Sequence, residues 1–288
     1  MTHLISQSLS AELLQKRDQV LSMLASYGTC AVAFSGGVDS AVVAKAAHVA
    51  LDERAVAVTA VSDSLADGEL EQASRLAALI GIRHVVLRTR EFENPDYLRN
   101  NPDRCFHCKT ELYTQVEAMA RELNVAVIAN GANLDDQGDY RPGMVAARDH
   151  SVRSPLVECG LTKAEVRQLA AHWELPVWDK PASPCLSSRI AYGEEVTPER
   201  VAMIDRAEQF LRQHGWRELR VRYHRGDLAR IELPVEAVAA FCDAAFRREL
   251  VEEFRLLGFK YVTLDLEGFR SGSMNQVLPV ESLYAERR

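Results

Sequence analysis

The stretch Thr29-Cys-Ala-Val-Ala-Phe34 is nearly continuous in apolar residues and stops abruptly at Ser35-Gly-Gly-Val-Asp-Ser40. A short apolar run without alternation is the pattern of a strand covered on both faces. Strands of that kind oblige the chain to supply covering helices, because parallel neighbours are joined by long crossovers. The first half of the sequence meets that requirement. Residues 56–61, 84–87 and 125–129 repeat the apolar pattern, and helical periodicity over 40–51, 69–80 and 110–123 separates them. A helix over 10–27 precedes the first strand, and another over 163–174 opens after Thr162, a good N-cap. Strand and helix in alternation predict an α/β fold with a doubly wound parallel sheet.

The character changes at 179–193, a Pro- and Ser-rich linker. Beyond it the pattern predicts helix (198–214), strand (219–223), strand (229–233), helix (235–257) and strand (261–266). That order describes a small α+β unit with an antiparallel sheet, so the expected domains are 1–192 and 193–288. There is no internal repeat and no low-complexity tract.

Composition bounds the function. With 47% hydrophobic and 26% charged residues, the chain has the balance of a globular protein. No apolar run approaches the ~20 residues of a membrane span. The first fifteen residues are polar and mixed, without a signal-peptide core, so a cytoplasmic enzyme is expected. A net charge of −7 gives no global attraction to nucleic acid, which normally requires a basic surface.

Residues 35–40 follow the first strand and open a helix. That placement delivers the loop to the carboxyl edge of the sheet, where open α/β folds bind ligands. Gly36 and Gly37 let backbone N–H groups approach an anion closely, Ser35 and Ser40 add hydroxyls on either side of Val38 and Asp39, and the N-terminus of the helix that the loop opens favours negative charge. Asp39 is the natural carboxylate for the Mg²⁺ that accompanies a nucleotide pyrophosphate. Neither a Walker A loop nor a Gly-x-Gly-x-x-Gly dinucleotide loop is present.

Six cysteines in 288 residues do not make a disulfide framework. Cys30, Cys159 and Cys242 read as inert packing residues. Cys105 and Cys108 form a C-x-x-C followed by Lys109 at a helix start, and Cys185 stands in Lys180-Pro-Ala-Ser-Pro-Cys-Leu-Ser-Ser-Arg189. Three thiolates suit a [4Fe–4S] cluster whose fourth iron has no protein ligand. Structural zinc with His107 as a fourth ligand, a Cys105–Cys108 redox disulfide beside a nucleophilic Cys185, and unrelated buried cysteines stay open as alternatives. After the fourth strand, residues 130–143 gather three Asp, two Asn and Arg141. At a strand's carboxyl edge such a loop suits Mg²⁺, through Asp136, and triphosphate, through Arg141; its bland reading is a polar turn.

Ser-Gly-Gly-x-Asp-Ser after the first strand resembles the PP-loop of the N-type ATP-pyrophosphatases, which cleave ATP to AMP and pyrophosphate. Four further stretches narrow the resemblance to the LarE-type sulfurtransferases and spread it over essentially the whole chain. They are Asp135-Asp-Gln-Gly-Asp-Tyr-Arg-Pro-Gly143, Ser154-Pro-Leu156, Lys180-Pro through Arg189, and Arg220-Val-Arg222. The resemblance implies an adenine site near the end of the second strand, at Val61. It implies adenylation and thiolation of the carboxylates of pyridinium-3,5-biscarboxylic acid mononucleotide, on the way to the nickel-pincer nucleotide of lactate racemase. Lys109 would neutralise α-phosphate charge or orient the substrate, and Arg189 would stabilise anionic oxygen. Arg220 and Arg222, with Glu208, would bind the substrate phosphate at a subunit boundary of a trimer-based homo-oligomer, possibly a hexamer. Some members of the family surrender the sulfur of one cysteine, here Cys185; others carry three cysteines and a cluster. Retention of Cys105 and Cys108 favours the cluster type. A tRNA thiolase and a nucleotide- or cluster-binding protein without turnover remain the competing expectations.

Overall fold

A computed structural model describes residues 9–138, 142–181, 183–270 and 273–274. In chain order its elements are α1 (Ala11–Ser26), β1 (Cys30–Ala33), α2 (Val38–Leu51), β2 (Ala55–Val61), α3 (Glu69–Ile80), β3 (Arg83–Arg88), α4 (Pro95–Leu98), α5 (Arg104–Glu122) and β4 (Val127–Ala129). They continue with α6 (Pro142–Asp149), α7 (Pro155–Glu158), α8 (Lys163–His172), α9 (Pro198–Gln213), β5 (Arg220–His224), β6 (Leu228–Glu232), α10 (Val238–Phe241), α11 (Ala244–Leu256) and β7 (Tyr261–Leu264). The chain divides into two compact units. The first comprises Met1–Ser62, Gly68–Arg90 and Cys105–Ser183; the second comprises Asp63–Asp67, Glu91–Arg104 and Pro184–Arg288.

In the first unit β3, β2, β1 and β4 form a sheet in that order, every pair parallel. Because side chains alternate across a strand, β1 and β2 each feed two cores. Cys30 and Val32 of β1 and Ala55 and Ala57 of β2 pack with α1, α2, α3 and α8. Ala31, Val56 and Val58 face the other way, against Leu112, Tyr113 and Val116 of α5 and Ala146 and Ala147 of α6. The predicted doubly wound α/β sheet is therefore observed. The apolar stripe of α3 falls at Ala73, Leu76, Ala77 and Ile80, the spacing of one helical face. Thr162 and Glu165 close a reciprocal capping box at the start of α8. Cys30 is buried in this core, which pushes its thiol up to about 12 and leaves it inert, as expected.

The second unit packs α9 and α11 on a three-stranded sheet ordered β5, β6, β7. β5 and β6 are antiparallel, as expected, but β7 runs parallel to β6. The reason is the connection: α11 is a crossover, and a crossover returns the chain in its original direction. The helix expected over 235–257 is also interrupted. Asp243 accepts hydrogen bonds from the amides of Ala245 and Phe246 and starts α11 afresh, which leaves Cys242 exposed at the break rather than packed. No helix among the described residues is long and apolar enough to cross a membrane.

Candidate active site

The loop after β1 is built mostly from its own atoms. Ser40 Oγ donates to the Gly37 carbonyl at 3.0 Å and accepts from the Ser35 amide at 3.2 Å. Ser35 Oγ lies 3.2 Å from Ser40 Oγ and accepts from the Gly37 amide at 3.3 Å. Gly36 adopts a φ of +72°, and a Cβ there would stand 3.2 Å from Ala73 of α3. Only glycine meets both demands, the left-handed backbone and the close approach. Val38 is buried at the first helical position of α2, and Asp39 stands half-buried beside it.

Asp39 is held from two sides. Asn133 donates to its Oδ1 at 3.1 Å, and the Lys163 ammonium, from the first residue of α8, contacts its Oδ2. Asn133 belongs to the 130–143 loop, and Gly131 of that loop lies flush on the phosphate loop: a Cβ on it would fall 2.6 Å from the Ser40 nitrogen. The two loops therefore pack face to face. Asp136 accepts from the Asn133 amide at 3.0 Å, and Asp135 accepts from the Lys163 amide at 2.9 Å. Arg141 lies outside the described residues. Carboxylate oxygens are the hard donors that Mg²⁺ takes, so the chemistry of Asp39 and Asp136 fits that ion. Lys163 was missed in the sequence. Its signal was the Thr162 N-cap, which places position 163 at a helix start that shares a core with α2.

Val61 ends β2, and its carbonyl accepts from the Thr89 amide at 3.1 Å. Beneath it, Thr59 donates to the Phe34 carbonyl at 2.8 Å while its hydroxyl lies 2.8 Å from His84 Nε2. Thr59 has one proton to give, so His84 is the donor at Nε2. Burial also lowers the pKa of His84 and keeps the ring neutral.

Cys105 and Cys108 lie inside the first turn and a half of α5, which starts earlier than expected because Arg104 is anchored by tertiary bonds. Residues three apart on a helix share a face, so the two thiols are neighbours. Cys105 is exposed and Cys108 half-buried. Lys109 is exposed, with its stem against Gly143 of α6: a Cβ on that glycine would meet Lys109 Cγ at 3.1 Å. Cys185 belongs to the second unit, exposed at the N-cap of the short 3₁₀ turn Leu186–Arg189. Two accessible thiols on one helical face and a third on an exposed turn are suitable donors for an iron–sulfur cluster. Among the described residues, no three His, Cys, Asp or Glu side chains are already gathered as a metal site.

In the second unit the Cys185 turn rests on guanidinium groups. Arg189 is buried; it donates to the carbonyls of Pro184 and of Cys185, the latter at 2.9 Å, and pairs with Glu208 at 3.1 Å. Its donors are thus turned into the unit and onto the turn that carries the thiol. Glu208 is fully buried and also accepts from Arg212 at 2.7 Å and from the Val221 amide at 3.1 Å. Burial works to raise the Glu208 carboxyl, but Arg189 and Arg212 outweigh it and hold the group below the ordinary range.

Arg220 and Arg222 project from one face of β5 with His224, as strand alternation requires. Arg222 donates to Glu232 at 2.7 Å and to the Ser188 carbonyl at 3.2 Å. Arg220 lies over the Phe269 ring at 5.1 Å. Burial, then repulsion from Arg189, Arg222 and Arg212, pushes its pKa down to about 10, with Glu208 opposing. A group so placed stays charged near neutrality and favours an arriving anion.

A strand, a self-bonded glycine loop and a carboxylate at the following helix start define an ATP-pyrophosphatase of the PP-loop class. The asparagine synthase family matches residues 12–120, which span that core. An uncharacterised protein of Synechocystis is 49% identical over 247 residues, 86% of this chain and 92% of the relative. The pyridinium-3,5-bisthiocarboxylic acid mononucleotide synthase of Lactiplantibacillus plantarum is 37% identical over 270 residues, 93% of this chain and 96% of that enzyme. The chain belongs to the family of that synthase, the LarE-type enzymes, and is an ATP-dependent sulfurtransferase. A tRNA-specific 2-thiouridylase of Rickettsia peacockii is 31% identical over 193 residues, 54% of this chain and 52% of the relative.

Proposed function

We propose that the protein thiolates the carboxylates of pyridinium-3,5-biscarboxylic acid mononucleotide, yielding AMP and pyrophosphate, within synthesis of the nickel-pincer cofactor of lactate racemase. The observation that carries this reading is two anion-binding arrangements of different design on one chain. One is the glycine loop with Asp39, suited to a magnesium-bound pyrophosphate. The other is the arginine row of β5, bonded to the turn that bears Cys185 and suited to a nucleotide monophosphate.

A carboxylate resists attack by sulfur because its oxygen is a poor leaving group. Its oxygen therefore attacks the α-phosphorus of ATP, the Pα–O–Pβ bond breaks, and an acyl-adenylate and pyrophosphate form. Ser35, Gly36, Gly37 and Ser40 hold the departing pyrophosphate, and Asp39 with Asp136 would hold Mg²⁺, which would offset the charge of that leaving group. Lys163 and Lys109 offset phosphate charge, Val61 borders the adenine, and Arg220 and Arg222 bind the substrate phosphate. Cys105, Cys108 and Cys185 would hold a [4Fe–4S] cluster, which would supply nucleophilic sulfide for the activated carbonyl when bound. Arg189 and Glu208 keep the Cys185 turn in place, and AMP leaves. We further place the enzyme in the cytoplasm as a trimer-based homo-oligomer. A tRNA substrate draws on a relative that overlaps only about half of each chain, and the net charge of −7 does not favour it.

The deciding experiment uses protein purified without oxygen, with ATP, Mg²⁺ and the pyridinium dicarboxylate nucleotide. Formation of thiocarboxylate with AMP and pyrophosphate is expected, together with about four irons per chain that vanish in Cys108→Ala. Nucleotide cleavage without thiocarboxylate would reject the substrate. Iron-free protein that still transfers sulfur would reject the cluster. Intact mass would then be expected to fall by one hydrogen sulfide as Cys185 becomes dehydroalanine. On that route the Cys185 thiolate displaces AMP, then loss of the α-proton breaks the Cβ–S bond.

A further inference from the structure

The segment 91–104 follows β3 in the chain and ends on the first residue of α5, yet it packs in the second unit. Three of its buried side chains carry polar groups that the mechanism above does not use and that turn the same way: Tyr97 (1% exposed), Asn100 (0%) and Arg104 (5%). All three reach the chain that follows Cys185. The Tyr97 hydroxyl hydrogen-bonds Ser187 Oγ at 2.7 Å. Arg104 Nη1 donates to the Ser187 carbonyl at 2.8 Å and to Asn100 Oδ1. Asn100 Nδ2 serves the carbonyls of Ile190 at 3.2 Å, Ala191 at 2.8 Å and Glu194 at 3.0 Å. Asn100 also holds a φ of +54°, a region that asparagine tolerates better than most residues.

Burying these groups costs desolvation and side-chain entropy that apolar residues would avoid. Their bonds return that cost along the stretch 187–194 that follows the thiol. Arg189 takes the carbonyls of Pro184 and Cys185, Arg104 that of Ser187, and Arg222 that of Ser188, while the Leu186 amide donates to Ser64 at 2.9 Å. Every peptide flanking the thiol is thereby tied down, and Cys185 itself stays exposed. Arg104 is also the first residue of α5 and immediately precedes Cys105.

We propose that Arg104, supported by Asn100 and Tyr97, is a positioning residue for sulfur transfer, fixing the backbone of the Cys185 turn so that its thiol is presented at one point. This rests on the reading of Cys185 as part of the sulfur site. Arg104→Lys removes the guanidinium whose Nη1 serves Ser187 and Asn100 together, and Tyr97→Phe removes a single hydroxyl with little risk to folding. For each full-length variant, the measurements are pyrophosphate release, thiocarboxylate per pyrophosphate, and deuterium exchange of the peptide covering 185–191. The expected result is pyrophosphate release within threefold of wild type, thiocarboxylate per pyrophosphate lowered at least tenfold in Arg104→Lys, and faster exchange confined to 185–191. Unchanged coupling and unchanged exchange in both variants would overturn the proposal. A wild type that makes no thiocarboxylate would overturn the sulfur-transfer reading instead, and the exchange data would still decide whether the brace holds the turn.

Discussion

One carboxylate, Asp39, is shared by an amide and an ammonium, and the balance between them matters for nucleotide binding. Lys163 brings a positive charge to the place where a divalent ion and phosphate oxygens would meet. Replacing it by methionine preserves the stem and deletes the charge. A charge-assisted hydrogen bond contributes roughly 1.5–3 kcal/mol, so Lys163→Met is expected to lower kcat/KM for pyrophosphate release ten- to a hundredfold. Steady-state kinetics at saturating Mg²⁺ test this, and an unaltered value would restrict Lys163 to orienting Asp39 in the nucleotide-free chain. The phosphate loop was legible in the sequence because its chemistry is local: two glycines, two hydroxyls and a carboxylate within six residues. Lys163 was not, because its partner lies 124 residues away and the Thr162 N-cap beside it marks a helix start rather than the contact itself.

Among the elements, the sheet of the first unit was readable because strands covered on both faces must be apolar on both. The second unit was read less well, and each error has a physical source. Apolar spacing over 235–257 is compatible with one long helix, but Asp243 competes for backbone amides and splits it. Asp243→Ala should remove that cap and destabilise the protein by about 1 kcal/mol. Urea denaturation followed by far-UV circular dichroism would register it, and an unshifted midpoint would mean that α11 starts correctly without its cap. The early start of α5 was hidden for a different reason. Cys-Phe-His-Cys has no strong helical preference, and the first turn depends on Arg104 reaching Asn100 and Ser187.

At the scale of the whole molecule, two half-buried imidazoles set an acid limit. His84 is held neutral chiefly by burial; His224 is held neutral by burial and then by the charges of Arg230 and Arg222. A lowered pKa means that the native chain binds fewer protons than the unfolded chain over that range. Stability is therefore full above roughly 6.5, the ordinary histidine value, and declines as pH falls toward the lowered values. Thermal midpoints at pH 7.5 and pH 5.5 should differ in the wild type and differ less in His84→Gln; an identical difference in both would remove His84 from the account. The three-part make-up of the second unit bears on how such enzymes can be recombined. A chimera that exchanges only the stretch after Pro184 with a relative would inherit foreign partners for Tyr97, Asn100 and Arg104. A workable transplant must carry 63–67 and 91–104 along with it, so the natural unit of exchange here is a set of contacts rather than a length of chain.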